Sequence, residues 1–92
     1  MSETAKADVE ICNKLGLHIR PSRQLATLAK SYDAAVTVRN KERAAAADSQ
    51  LDLLMLLAVK GSTIEVAAVG PDAEAVVQAI VELVESRFGE DE

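Results

Sequence analysis

Asn13-Lys14-Leu15-Gly16-Leu17-His18-Ile19-Arg20-Pro21 is the stretch on which the reading of this chain turns. It joins an alternating apolar segment to a helical one and holds the only histidine in 92 residues. Gly16 can adopt positive φ, so the backbone can turn sharply just before the histidine. Pro21 suits the first turn of a helix, where its missing N–H would lack a partner anyway. Good helix formers follow, with apolar Leu25, Leu28, Ala29 and Tyr32 at helical spacing, which predicts a helix from Ile19 to Ser31. The first N–H groups of that helix and its positive dipole end then lie beside the imidazole. An anion attached to His18, such as a phosphoryl group, would be held by those donors and by Arg20. The same positive field disfavours imidazolium and keeps a ring nitrogen free to attack. A lone histidine near a helix start is more often a polar surface residue or a cap. Here turn, imidazole, cation and helix-starting proline occur in the order that such a site requires.

Upstream, Ala7 to Asn13 alternates, with Ala7, Val9 and Ile11 on one face and Asp8, Glu10 and Cys12 on the other, the pattern of a half-buried strand. Downstream, Ala35 to Arg39 places Val36 and Val38 on one face of a second strand, and Asn40-Lys41-Glu42 forms a turn. The four alanines of Arg43 to Asp48 favour a helix, and a third strand is expected there only because hairpin geometry and the family resemblance given below both want one. Thr63 to Val69 is β-rich, with Ile64 and Val66 inward. Ala73 to Phe88 carries Ala73, Val76, Val77, Ile80, Leu83, Val84 and Phe88 at helical spacing, predicting a long amphipathic helix stopped by Gly89. Residues 1–6 and the acidic 90–92 are expected to be frayed tails with nothing to pack against.

Ser49-Gln50-Leu51-Asp52 has the form of a helix start in which the serine caps and the acid follows three residues on. The run Leu51 to Ala58 is then a helix of about two turns at 3.6 residues per turn. Leu51, Leu54 and Met55 share one face, and Leu53, Leu56 and Leu57 lie on the other. So small a domain cannot bury both faces, so one enters the core and the other is left as an apolar patch. Methionine in such a patch suits varied partners.

Composition narrows the function further. At 49% hydrophobic residues the chain is globular, and at 2% aromatic its core is built from Leu, Val, Ile and Ala. A net charge of −5 and the lack of aromatic stacking platforms argue against nucleic-acid binding. With a single cysteine, Cys12, and a single histidine, neither an internal disulfide nor a structural zinc site is expected. No cofactor is called for. No signal peptide or membrane-spanning run is evident, so a cytoplasmic protein without membrane insertion is expected.

Gly16-Leu17-His18-Ile19-Arg20-Pro21-Ser22 resembles the active-site signature of the HPr family, the histidine-containing phosphocarriers of the bacterial phosphoenolpyruvate-dependent phosphotransferase system. Ser49, the apolar run after it and Lys60-Gly61-Ser62-Thr63-Ile64 are similar to the family's later landmarks, so the resemblance spans residues 7 to 89. It implies that His18 is the phosphorylated residue, through Nδ1, and that Arg20 stabilises the phosphate. It implies enzyme I as donor, an EIIA-type protein as acceptor, and a docking face made by the second helix and the start of the first. Ile19, Gln50, Leu51, Leu54 and Met55 would form that face. Ser49 matches the regulatory serine that a kinase phosphorylates in some members, with a serine kinase/phosphorylase then a further partner. As a plain helix cap it would need none. Four positions depart from the family pattern: Ile19 where a small residue is usual, Arg23 where a small or apolar one is, Gln50 where an apolar one is, and Asp52 where Gly or Lys is frequent.

The expectation is a single domain of residues 1–92, a monomer of the α+β class. It is an open-faced β-sandwich in which three helices cover one face of a four-stranded antiparallel sheet, in the order βαββαβα. Its function is to carry phosphoryl groups from phospho-enzyme I to an EIIA-type protein of the sugar phosphotransferase system, as a substrate of enzymes rather than an enzyme. Alternatives are a regulatory homologue that signals phosphorylation state without sugar transport, and an interaction module in which His18 is incidental. A catalytic acid–base enzyme fits less well, for want of a second base near His18 and of a pocket.

Overall fold

The computed structural model describes residues 3–91. Its elements are β1 (Thr4–Glu10), α1 (Ile19–Lys30), β2 (Ala35–Asn40), β3 (Arg43–Ala46), α2 (Gln50–Leu54), β4 (Thr63–Val69) and α3 (Ala73–Glu85), followed by a 3-10 turn (Arg87–Gly89). The four strands form one antiparallel sheet in the order β1-β4-β2-β3. β4 lies between β1 and β2, which are therefore parallel to each other and joined by α1. In the same way β2 separates β3 from β4, with α2 in the connection. The three helices cover one face of the sheet, and the buried residues of the strands alternate with exposed ones. Val9, Val36, Val38, Ile64, Val66 and Ala68 point into the core that Leu25, Ala29, Val76, Ile80 and Val84 close from above.

β2 and β4 match their expected spans to within a residue, while β1 lies three residues earlier than Ala7 to Asn13 and β3 ends at Ala46 rather than Asp48. At the N-terminus the sheet begins sooner than expected. Thr4 pairs with Val69 and Ala5 with Ala68, so Thr4 to Lys6 is strand and not tail; residues 1 and 2 lie outside the described residues. Beyond Glu10 the strand's path continues as a reciprocal pair of hydrogen bonds, Ile11 N–H to Ser62 O and Gly61 N–H to Ile11 O, both 2.8 Å. The alanine-rich β3 is a strand despite its helical propensity. Pairing with β2 overrides the local preference, and the two-residue connection places Lys41 at φ +58°, the positive φ that primed hairpin turns require at this position.

Two helices end earlier than their apolar spacing suggests. α2 stops at Leu54 rather than Ala58. Leu57 takes φ +54°, which a helix does not allow, and turns its side chain to solvent instead of the core. The unwound backbone is used elsewhere: Asn40 Nδ2 donates to Leu56 O (3.0 Å) and Leu17 N–H to Ala58 O (2.9 Å). α3 stops at Glu85 rather than Phe88. Arg87 and Phe88 are left-handed, at φ +59° and +55°, and this reversal drives the Phe88 ring into the core. Among the described residues, no helix is long and apolar enough to cross a membrane.

Candidate functional site

The site lies where β1 hands over to α1, and Gly16 sets its shape. At φ +67° this residue is left-handed, and a Cβ on it would stand 2.3 Å from Ala58 O. Only glycine lets the 13–17 loop press against the unwound segment after α2. His18 then occupies the cap position of α1 with extended backbone (φ −81°, ψ −165°). Its N–H donates to Gly16 O (2.9 Å), and its carbonyl accepts the first helical hydrogen bond, from Ser22 N–H (3.0 Å). The Ser22 hydroxyl, fully buried, donates to Leu17 O (3.0 Å) and pins the turn from below. Histidine gives no side-chain cap here, so the N–H groups of Ile19 and Arg20 open the helix with no intrahelical acceptor.

The imidazole is 32% exposed and the Arg20 side chain 62%. Between them stands a carboxylate. Glu90 Oε2 lies 3.0 Å from His18 Nε2 and 4.0 Å from Arg20 Nη1. Its other oxygen, Oε1, accepts from Asn13 Nδ2 (3.0 Å), which also donates to Gly16 O (2.8 Å). Burial raises the Glu90 carboxyl, but the hydrogen bonds from Asn13 and His18 and the nearby charges of His18 and Arg20 outweigh it, and its pKa lies below the ordinary 4.5. Glu90 and Asp91 are thus not part of a tail with nothing to pack against: Glu90 closes over the site, and Glu92, the last residue of that expected tail, lies outside the described residues. The buried Phe88 anchors this segment, and Arg87 Nη1 donates to Asp91 O (2.9 Å). Nothing in the sequence pattern linked Glu90 or Asn13 to the imidazole. The one available signal was an aromatic residue two positions before Glu90, able to hold that end of the chain against the core.

A family profile described as "PTS HPr component phosphorylation site" matches residues 5–86. The chain belongs to the HPr family of phosphocarriers. It is 47% identical to phosphocarrier protein NPr of Escherichia coli (strain K12) over 89 residues, covering 96% of this chain and 99% of that one. Phosphocarrier protein HPr of Cupriavidus necator is 39% identical over 85 residues, with 92% and 96% covered. The crystal structure of HPr-C-His from Thermoanaerobacter tengcongensis superposes with a TM-score of 0.91 at 31% identity, covering 96% of this chain and 99% of that one.

Around the HPr-type histidine, the remaining residues singled out in the sequence fall on one surface. Ile19, Leu51 and Met55 are exposed and Leu54 is half-buried, while Leu53 and Leu56 enter the core. Gln50 joins the two helix starts: its Nε2 donates to Ile19 O (3.1 Å). Leu15, Leu57 and Val59 are exposed as well, and Leu57 is left-handed. Ser49 caps α2, its Oγ accepting from Asp52 N–H at 3.2 Å. A hollow of about 1160 Å³ between Glu3–Ala7 and Gly70–Gln78 lies at the opposite end of β1 from His18 and contains none of these residues. A shallower hollow beside the site is lined by Lys14, Leu15, Glu90 and Asp91, and the His18 ring is not among its walls.

Proposed function

We propose that His18 takes a phosphoryl group on Nδ1 from phospho-enzyme I and passes it to an EIIA-type protein. The observation that carries this reading is the imidazole at the cap of α1, partly exposed, with the Ile19 and Arg20 N–H groups open beside it. Nε2 is engaged by Glu90, which leaves Nδ1 as the free nitrogen. A phosphoryl group there would meet the helix's positive end and, on small movement of its exposed side chain, the Arg20 guanidinium. The docked partner would cover the ring and exclude water, so that the phosphoramidate reacts with the acceptor rather than hydrolysing. Ile19, Gln50, Leu51, Leu54 and Met55 form the surface on which it would sit.

The relatives bear on which partner. Those named NPr match at 43% to 48% identity, and those named HPr at 39% and 36%. This favours partners shared with NPr carriers over a sugar-transport chain. A regulatory homologue would use the same histidine and the same face, and is separated from a relay by the acceptor assay. Incubation with phosphoenolpyruvate and enzyme I should add one acid-labile phosphoryl group by intact mass, absent in His18→Ala, and an EIIA-type protein should remove it. Absence of modification with the cognate enzyme I would sink the reading.

A further inference from the structure

The Glu90 side chain is only 16% exposed, at the end of a chain where a charged group would ordinarily be solvated. Both of its oxygens are used, one by Asn13 and one by His18, and the buried Phe88 fixes the backbone that presents it. Resting on the reading of His18 as phosphoryl acceptor, we propose that Glu90 is a positioning residue for the imidazole. Its carboxylate accepts the Nε2–H, which places the ring's lone pair on Nδ1, and it stabilises the imidazolium that exists while the phosphoryl group is attached.

The proton and electron balance follows. In the accepting step the Nδ1 lone pair forms the bond to phosphorus. The bond from phosphorus to the donor breaks, and its electron pair stays with the donor. Nε2 keeps its proton throughout, so the phosphorylated ring is positive and faces the Glu90 carboxylate. In the donating step the N–P bond breaks and its electrons return to Nδ1, regenerating the neutral ring with Nε2–H. A carboxylate aligned on the far nitrogen therefore favours the protonated phospho-form, the one with the good leaving group, as a buried acid does for a catalytic histidine elsewhere. The other charged groups near this pair are Arg20 from α1, and Lys14 and Asp91, which line a shallow hollow beside Glu90.

Because His18 is the only histidine, its ring nitrogens can be followed alone by nitrogen NMR of histidine-labelled protein. In the unphosphorylated neutral ring, the proposal expects a lone-pair signal at Nδ1 and a protonated signal at Nε2, with mixed tautomers in Glu90→Ala. In the phosphorylated protein the ring's titration midpoint should fall by about half a unit, a roughly threefold change in proton affinity, in both Glu90→Ala and Glu90→Gln. Glu90→Gln keeps the side chain's length and an acceptor oxygen, so it holds the segment in place while removing the charge. An unchanged tautomer in Glu90→Ala, or an unchanged midpoint in Glu90→Gln, overturns the corresponding half of the proposal. A wild-type protein that takes up no phosphoryl group sinks the carrier reading and the imidazolium half with it. The tautomer measurement then decides alone whether Glu90 positions the ring.

Discussion

The starts of α1 and α2 face the same problem and resolve it differently. Each helix begins with N–H groups that have no intrahelical partner. At α2 the Ser49 hydroxyl accepts from Asp52 N–H, so the third of these donors is met within the chain; Pro21, at the same position of α1, has no N–H to meet. At α1 the cap residue is His18, whose side chain turns away to Glu90 and leaves the first donors open. The difference lies in the cap side chain, which at α2 bonds the helix's own backbone and at α1 is turned to Glu90 and the surface. The comparison is sharp because Gln50 ties the two ends together, so both belong to one surface.

The largest expected effect breaks the open end. His18→Ala should abolish acid-labile phosphorylation by enzyme I while lowering stability only modestly, since the Glu90 contact is lost but no cap bond is. Intact mass and chemical denaturation measure the two halves. Next is Gly16→Ala, which attacks the same end through its support. The left-handed backbone alone costs ~1–2 kcal/mol with a Cβ present. The clash with Ala58 O, at 2.3 Å, adds to that unless the loop moves. A lowered denaturation midpoint with slowed phosphorylation is the expected result; a fully stable, fully active variant would show that the loop tolerates displacement. Smaller still is Ser49→Ala at the closed end, which should cost about 1 kcal/mol and leave phosphoryl uptake at His18 intact.

What could be read from the sequence divides along the same line. α1, its glycine turn and its histidine were legible because local spacing and turn chemistry decide them. So was the Ser49 cap, whose partner is three residues away. Legibility failed where distant contacts act on the backbone. The apolar run after Ser49 promised helix to Ala58, but Leu57 is left-handed where Asn40 and Leu17 draw on the carbonyls of Leu56 and Ala58. The spacing of Phe88 fitted α3, yet the ring reaches the core by a reversal of the chain. β3 followed from hairpin logic and family resemblance, against the propensity of its alanines. Glu90 had no local signature beyond the aromatic residue two positions before it, being 72 residues from the imidazole it touches.

The smallest predicted effect concerns that long-range contact. Glu90's carboxyl lies below its ordinary 4.5 in the folded protein, so the folded state favours the charged form more than the unfolded chain does. For a carboxyl depressed in this way, the stabilising contribution is fully present above the unfolded pKa. It is lost as pH falls through the folded one. Wild type should therefore hold an advantage in melting temperature over Glu90→Gln at pH 6 that shrinks below about pH 4.5 and disappears in stronger acid. The contact lies at the surface, within reach of salt, so raising ionic strength should narrow the same gap. A gap independent of pH would mean that Glu90 holds the tail by shape and by its Asn13 hydrogen bond, with its charge contributing nothing. The open end of α1 would then owe its orientation to the loop alone, and the contrast with α2 would rest on Gly16 rather than on the carboxylate.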